Sequence, residues 1–530
     1  MFTKTNRARA TSRAAAAPAA SGGLNDLDPL PLMDPQYAIS LLNFFPDTGL
    51  LRTRAGYKEW ATSFVAPVDT LMVYRSTDGT NQLFAATAAG IYNVSSPTQA
   101  PTLVKAATNG KWSWTNYANV SGQYLVAVNG VDPGVIYDGT SWISMTQTDT
   151  PVNVGDIKGI SPTQLSHVLP HKGRIWFLQV DSRTSWYWPT DAVAGEVKPF
   201  YLGGVLKRGG LLLAMATWSL DSGDGLDDKL VFFSSVGEVA GYAGTDPASV
   251  NSWGLEALYF TSTPLGARGI ADFGGDTVLL SRQGILPLSK VVQGSATSAL
   301  YSETLSRRVN RSINRLAVKT DFVRSWEIFT APVFEALIVN VPQGSNTSAL
   351  QFVMNLQTGA WTTYDLPAST FAFYNNVLFF GTEDGRVMQH SSDIGLDNTL
   401  FDNTGGVPVN SYLMTAYSYF GDPTSIKHFK FVRPIFVADH PPKYKLRAAV
   451  DYELLPFAGN PSPPGASSQN ALWDFALWDQ AFWAGAGETY RPWVGVDAMG
   501  YAGALQLKVS SNAPVQLVAL EWVLSSGGMI

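Results

Sequence analysis

Apolar and polar residues alternate through most of this chain in short runs closed by glycine-bearing turns, and stretches with helical periodicity are rare. Five stretches show the unit plainly: LFAATAAGIYNV from Leu83, LVAVNGVDPGVIYDG from Leu125, LVFFSSVGEVAGY from Leu230, TVLLSRQGILPLS from Thr277 and VLFFGTEDGRVMQHS from Val377. Two looser copies are RIWFLQVDSRTSWYW from Arg174 and ALIVNVPQGSNTSALQFVMNLQTGAW from Ala336. Each reads as strand, turn, strand. Their starts recur at intervals of roughly 40 to 60 residues, the length taken by one small four-stranded blade. The expectation is an all-β chain with a β-propeller of six or seven blades over residues 63–395. Glycine recurs because tight hairpins need positive φ, and Trp142 and Trp361 would wedge adjacent blades. Two stacked sandwiches with similar hairpins are the competing reading.

One segment breaks the β pattern. In SETLSRRVNRSINRLAVK, from Ser302 to Lys319, Leu305, Val309, Ile313 and Leu316 fall at helical spacing and Ser302 is placed to cap the start. Arg307, Arg308, Arg311, Arg315 and Lys319 fill the remaining surface, so an amphipathic basic helix is inserted between two blades. Its arginines are either a solvated face or contacts to phosphate or an acidic partner. Alternation returns after residue 405 in SYLMTAYSYF, HFKFVRPIFVAD, YKLRAAVDYELL, GALQLKVSS and VQLVALEWVLS, which predict a β-sandwich over 405–530. Between them, ALWDFALWDQAFWAG spaces Trp473, Trp478 and Trp483 five apart, which fits neither one helical nor one strand face and predicts an irregular ribbon.

The N-terminal part has two pieces: a flexible basic arm over 1–25, and a hairpin and docking segment over 26–62. The arm holds Lys4, Arg7, Arg9 and Arg13 with no acid before Asp26, and AAAAPAA is too short an apolar core for a secretory signal. In NFFPDTGLLRTRAGYKEWA, the turn Pro46-Asp47-Thr48-Gly49 precedes a strand that would carry Arg52, Arg54 and Lys58 on one face. That stripe is either ordinary solvated surface or, with the arm, one docking element for an acidic partner. The arm is too polar to fold alone, so its order would come from that partner.

Composition narrows the chemistry. Hydrophobic residues make up 45% and charged residues 15% of 530, and the formal charge is -6. The absence of cysteine excludes disulfides, thiolate nucleophiles and zinc–thiolate sites, and no apolar run approaches the roughly 18 residues of a membrane span. The histidines are His167, His171, His390, His428 and His440; HVLPH is the nearest approach to a metal pair and lacks a third ligand. No phosphate-cradling loop or nucleophile elbow is present. No enzyme activity, cofactor or catalytic residue is therefore expected. Asp221, Asp224, Asp227 and Asp228 form an acid-rich loop that is either solvated or a calcium site outside the EF-hand pattern.

The run LPLMDPQYAISLLNFFPDTGLLRTRAGYKEWAT, chiefly through Asn43, Pro46, Gly49, Arg54 and Gly56, resembles the opening of tail nozzle or tail-hub proteins of short-tailed bacteriophages. The resemblance extends more weakly over residues 28–530. It implies a non-enzymatic structural virion protein, made in the bacterial host cytoplasm. It implies too a hexameric tube below the portal and adaptor rings that retains packaged DNA and conducts it during ejection without sequence-specific binding. Implied partners are the adaptor and portal proteins and tail fibres or spikes, with no stable membrane insertion. Candidate interface residues are then Arg52, Arg54, Lys58, Arg307, Arg308, Arg311 and Arg315. The competing class is a propeller-type tail protein that binds or cleaves glycans.

Overall fold

A computed structural model of the chain describes residues 12–219, 228–292, 304–318, 326–342, 349–391, 395–461 and 488–526. Two compact units divide it: Glu59–Gln351 with Leu366–His390, and Met1–Lys58 with Phe352–Asp365 and Ser391–Ile530. The first is a β-propeller and the second a β-sandwich. This division differs from the expected boundaries because N-terminal strands and a short central segment pair with the C-terminal sheets, a long-range choice that local alternation does not encode.

The propeller has seven blades, and each of the seven hairpins read from the sequence supplies middle strands of one. Their innermost strands are Thr70–Tyr74, Ser113–Asn119, Leu165–His171, Leu212–Trp218, Ile270–Phe273, Glu327–Ala331 and Ala368–Tyr374. Each inner strand neighbours the next blade, and the seventh returns to the first, so the ring closes. Blades 1 to 4 have four strands each. Aromatic wedges join them: Trp142 of blade 2 lies edge-on to Phe84 of blade 1, with ring centroids 5.0 Å apart. The last blade takes its outer strand from Gly56–Ala61, whose Glu59–Ala61 part belongs to this unit. There Arg386 pairs with Glu59, and Trp60 packs on Phe379 while its indole N–H donates to the carbonyl of Val94 in blade 1. Ring closure thus joins the start of the unit to its end.

The two histidines of HVLPH sit on the inner strand of blade 3 as inter-blade stitches. His167 Nδ1 meets the Ser113 hydroxyl of blade 2 and Nε2 meets the Met215 carbonyl of blade 4, so the imidazole is neutral with its proton on Nε2. His171 Nδ1 meets the Thr217 hydroxyl of blade 4. Burial lowers both from 6.5 to about 4, with neighbouring Lys172 adding to the shift at His171.

In the sandwich unit the N-terminal strands are β1 (Ser12–Pro18), β2 (Gly23–Leu24), β3 (Tyr37–Leu42), β4 (Phe44–Asp47), β5 (Leu50–Thr53) and β6 (Gly56–Ala61). The later strands are β7 (Trp361–Tyr364), β8 (Leu396–Thr399), β9 (Gly405–Thr415), β10 (Lys427–Ala438), β11 (Lys443–Val450), β12 (Glu488–Tyr490), β13 (Val494–Gly500), β14 (Gly503–Ser511) and β15 (Val515–Ser526). One sheet runs β4–β5–β15–β10–β12, with β1 also on β15 and β13 on β10. The other joins β7, β2, β3, β9, β14 and β11, with β8 on β9. Phe429, Phe436, Leu517 and Trp522 of the first sheet and Leu413, Leu505, Leu507 and Val509 of the second are all buried, as the inner faces of a sandwich require. The expected tryptophan ribbon around Trp473, Trp478 and Trp483 lies outside the described residues.

Arg54 anchors this unit. It follows β5 and turns inward, only 4% exposed. Nε donates to Asn43 Oδ1 at 2.9 Å, Nη1 to the Ala55 carbonyl at 3.1 Å and Asp397 Oδ1 at 2.6 Å, and Nη2 to Asp397 Oδ2 at 2.6 Å and Asp365 Oδ1 at 2.9 Å. All five guanidinium donors are engaged, which is the condition for burying this group. The two carboxylates hold its pKa above the ordinary arginine value despite burial. Asn43, in the left-handed region at φ 57°, accepts the Arg54 backbone N–H and the Ser411 hydroxyl on its carbonyl, and its side-chain amide donates to Asn410 O. The other resemblance positions act nearby: Pro46 O accepts from Asn355, Gly49 turns the hairpin at φ 75°, and a Cβ on Gly56 would lie 1.9 Å from Leu396 O.

Two outcomes are expected from this packing. R54M, which leaves Asp397 without its bidentate partner, should lower stability by about 3–5 kcal/mol; R54K, charged but unable to form the fork, should fall between it and wild type in urea-midpoint measurements. In the propeller, the unfolded state takes up the histidine protons first as pH falls below 6.5. The histidine contribution to stability should therefore drop progressively down to about pH 4, with about 3 kcal/mol traceable to His171. H171Q should shrink the difference in urea midpoint between pH 7 and pH 4.5; an unchanged difference would discount the histidine.

Candidate docking interface

The seven candidate cations do not form one surface. The expected stripe fails because the strand ends at Thr53 and restarts at Gly56, so Arg52, Arg54 and Lys58 lie on separate elements. Arg54 is spent on the buried cluster and is removed from the interface set. Lys58 is half-buried on β6, opposite Thr399 of β8. Arg52 alone stays exposed, its guanidinium 5.4 Å from the Phe45 ring centroid. The Asp397 and Asp365 partners were invisible as such in the sequence, since they lie 343 and 311 positions from Arg54.

The basic segment fares better. Among the described residues the propeller has two helices, α1 (Leu288–Val292) and α2 (Asn310–Ala317). The second is shorter than the predicted Ser302–Lys319: Ser302 and Lys319 lie outside the described residues, and 305–309 form turns. A polar knot sets its start. Asn310 donates to Thr304 Oγ1 at 2.8 Å and accepts from Ser306, whose oxygen in turn accepts the Ile285 N–H at 2.8 Å. Gly284, at φ 111°, makes room, because a Cβ there would come within 2.1 Å of Asn310 Oδ1. Val309, Ile313 and Ala317 are buried, whereas Leu305 and Leu316 are half-buried.

Fixing that inward face turns the arginines out. Arg307, Arg311 and Arg315 are exposed at four-residue intervals, and Arg308 is half-buried. The result is a row of cations running from the turn before α2 onto the helix, held by the polar start, an arrangement suited to an acidic surface.

The propeller also holds a pocket of about 420 Å³ with a mostly apolar lining that carries polar groups of Asp69, Lys111, Arg268, Asn340, Ser369 and Asp384. Arg268 precedes the inner strand of blade 5 and donates to Asp69 O at 2.8 Å and to Thr70 Oγ1 and Trp112 O, at the starts of blades 1 and 2. One side chain therefore bridges the middle of the ring. Nearby Glu327, on the inner strand of blade 6, is raised above the ordinary carboxyl range by burial, with Arg268 opposing the shift.

Among the described residues no cluster of three or more His, Asp or Glu is arranged to hold a metal, and no helix is long and apolar enough to cross a membrane. Asp221, Asp224 and Asp227 of the acid-rich loop lie outside the described residues, and Asp228 is buried.

No family model and no curated protein matches the chain. Among solved structures it is similar to Saccharomyces cerevisiae Sqt1, at 11% identity and a TM-score of 0.34 over 68% of this chain and 96% of that one. It is similar also to the Neurospora crassa Pan2 WD40 domain, at 10% identity and a TM-score of 0.34 over 65% and 96% of the two chains. A putative 6-phosphogluconolactonase from Bacteroides fragilis matches at 11% identity and a TM-score of 0.35 over 59% and 87%. None of these assigns an activity.

Proposed function

We propose that this chain is a structural virion protein, the tail nozzle of a short-tailed bacteriophage, and that six copies form a tube below the portal and adaptor rings. The tube retains packaged DNA and conducts it during ejection. The observation that carries the reading is the arginine row of α2 and the turn before it: three exposed cations, Arg307, Arg311 and Arg315, evenly spaced on a firmly anchored segment, in a chain whose formal charge is -6. Such a row meets acid on a neighbouring subunit or adaptor. The resemblance positions Asn43, Pro46, Gly49, Arg54 and Gly56 have structural duties, which is what a shared scaffold requires. Arg268 across the propeller ring supports a conduit formed between subunits, with the propeller as a wall module. An acidic lumen suits passage, because it does not grip phosphate.

A glycan-binding or glycan-cleaving tail protein is the second reading, favoured by the pocket beside Arg268 with its polar groups. Electron micrographs and solution mass separate the two: a closed sixfold ring supports the nozzle, and a monomer that retains oligosaccharide supports the alternative. R307E/R311E should reduce ring assembly or adaptor attachment at least about tenfold while moving stability by under about 0.5 kcal/mol, since exposed charges contribute little to folding. Assembly and attachment equal to wild type would return the row to ordinary solvated surface.

A further inference from the structure

The arm expected to be flexible is partly a strand. Ser12–Pro18 forms β1 and pairs antiparallel with β15 from Ser12↔Ser525 to Pro18↔Ala519. Its order comes from this chain's own C-terminal strand and needs no foreign partner, a correction to the expectation for residues 1–25; residues 1–11 lie outside the described residues. What holds β1 is mostly backbone. Every residue in it is exposed or half-buried, four of the seven are alanine, and its side chains bond from Arg13 to the Phe420 carbonyl and to Lys430 through the Ser12 hydroxyl. Among the described residues nothing pairs with its other edge.

The base of the strand is built differently. Gly22 donates to Gln36 O, and Gly23 is boxed in by the backbone of Trp361, where a Cβ would lie 2.5 Å from the carbonyl oxygen. Between this fixed base and β1 lies Ala20, fully buried and held at φ 51°. An alanine there is strained by about 1 kcal/mol or more, and rotation to an extended φ would relieve it and swing β1 away from its own sheet. A detachable strand, a fixed base and one strained hinge residue are the ingredients of strand exchange.

Resting on the ring reading above, we propose that β1 is an exchange strand, which in the assembled ring leaves its own β15 and pairs with β15 of a neighbouring copy. The receiving edge, Ala519–Ser525, is present on every copy in the register already seen. Charge favours a second copy as the acceptor. The first 13 residues carry four of the 36 basic side chains and none of the 42 acidic ones, so the rest of the chain carries 32 against 42, a formal charge of -10. The basic leader is thus drawn to another copy's body, and each exchange adds a tether without requiring a new interface.

The absence of cysteine makes the test direct. Ala14 lies opposite Val523, so full-length A14C and V523C chains are made separately, co-assembled, oxidised and run without reductant, beside each single variant alone. Exchange predicts a disulfide-linked dimer containing one of each chain, and the A14C/V523C double variant should give linked ladders from its assembled form. A double variant that closes its disulfide within single chains in intact rings overturns the exchange and leaves the nozzle reading standing. Double-variant rings that form neither link overturn it too. A chain that is monomeric under all conditions sinks both. A20G, which removes the hinge strain, should lower the exchanged fraction about fivefold or more; exchange undiminished in A20G also counts against the proposal.

Discussion

The sandwich unit depends on the burial of one guanidinium. Arg54 brings a permanent positive charge into a site that water barely reaches, and that is tolerable only because each of its five N–H groups finds an acceptor. Those acceptors come from Asn43, Ala55, Asp365 and Asp397, so the ion cannot be satisfied until the N-terminal hairpin, the central segment and the C-terminal strands have gathered around it. Asn43 extends the same logic to Thr363, Asn410 and Ser411 through its backbone and amide. The cluster selects one arrangement of distant segments, because a partial arrangement leaves a buried charge unpaired.

The propeller solves the assembly problem by repetition. Each hairpin is a local object, and the blades differ mainly in what joins neighbours: an aromatic wedge at Trp142, neutral histidines at His167 and His171, a spanning arginine at Arg268. A ring of such units has one special seam, where its two ends meet. Here Glu59–Ala61 beside the last blade, with the Arg386–Glu59 pair and Trp60, makes that seam from the beginning of the unit. Radial repetition leaves only short outer edges on the blades, which limits unwanted pairing.

Edges and charges that remain outside carry the functional reading. Arginines divide into those consumed by the fold, Arg54 and Arg268, and those that α2 and the turn before it leave exposed, Arg307, Arg311 and Arg315. Residue type does not separate the two groups; what separates them is burial, Arg54 being enclosed among its acceptors while Arg307, Arg311 and Arg315 are exposed. The same distinction applies to backbone. Among the described residues β1 has one edge unpaired, whereas β15 is paired on both sides.

The sequence by itself determined the all-β class, the seven strand–turn–strand units, the later strands of the sandwich and the helical register of Val309 and Ile313. Each is written in side-chain alternation over a few residues, where the backbone's period of two or 3.6 shows directly. Blade number became readable only when every hairpin was seen to supply one blade, and the helix start only when Gly284 was seen to admit the Thr304–Ser306–Asn310 knot. Arg54 was misread as surface because a cation following an exposed strand looks the same whether it meets water or two aspartates more than 300 residues away. The arm was misread because an alanine-rich strand carries no alternation, its pairing being made by backbone groups that every residue shares. Tertiary structure decided these points, since burial and pairing depend on which distant segments converge, and local periodicity contains no record of that.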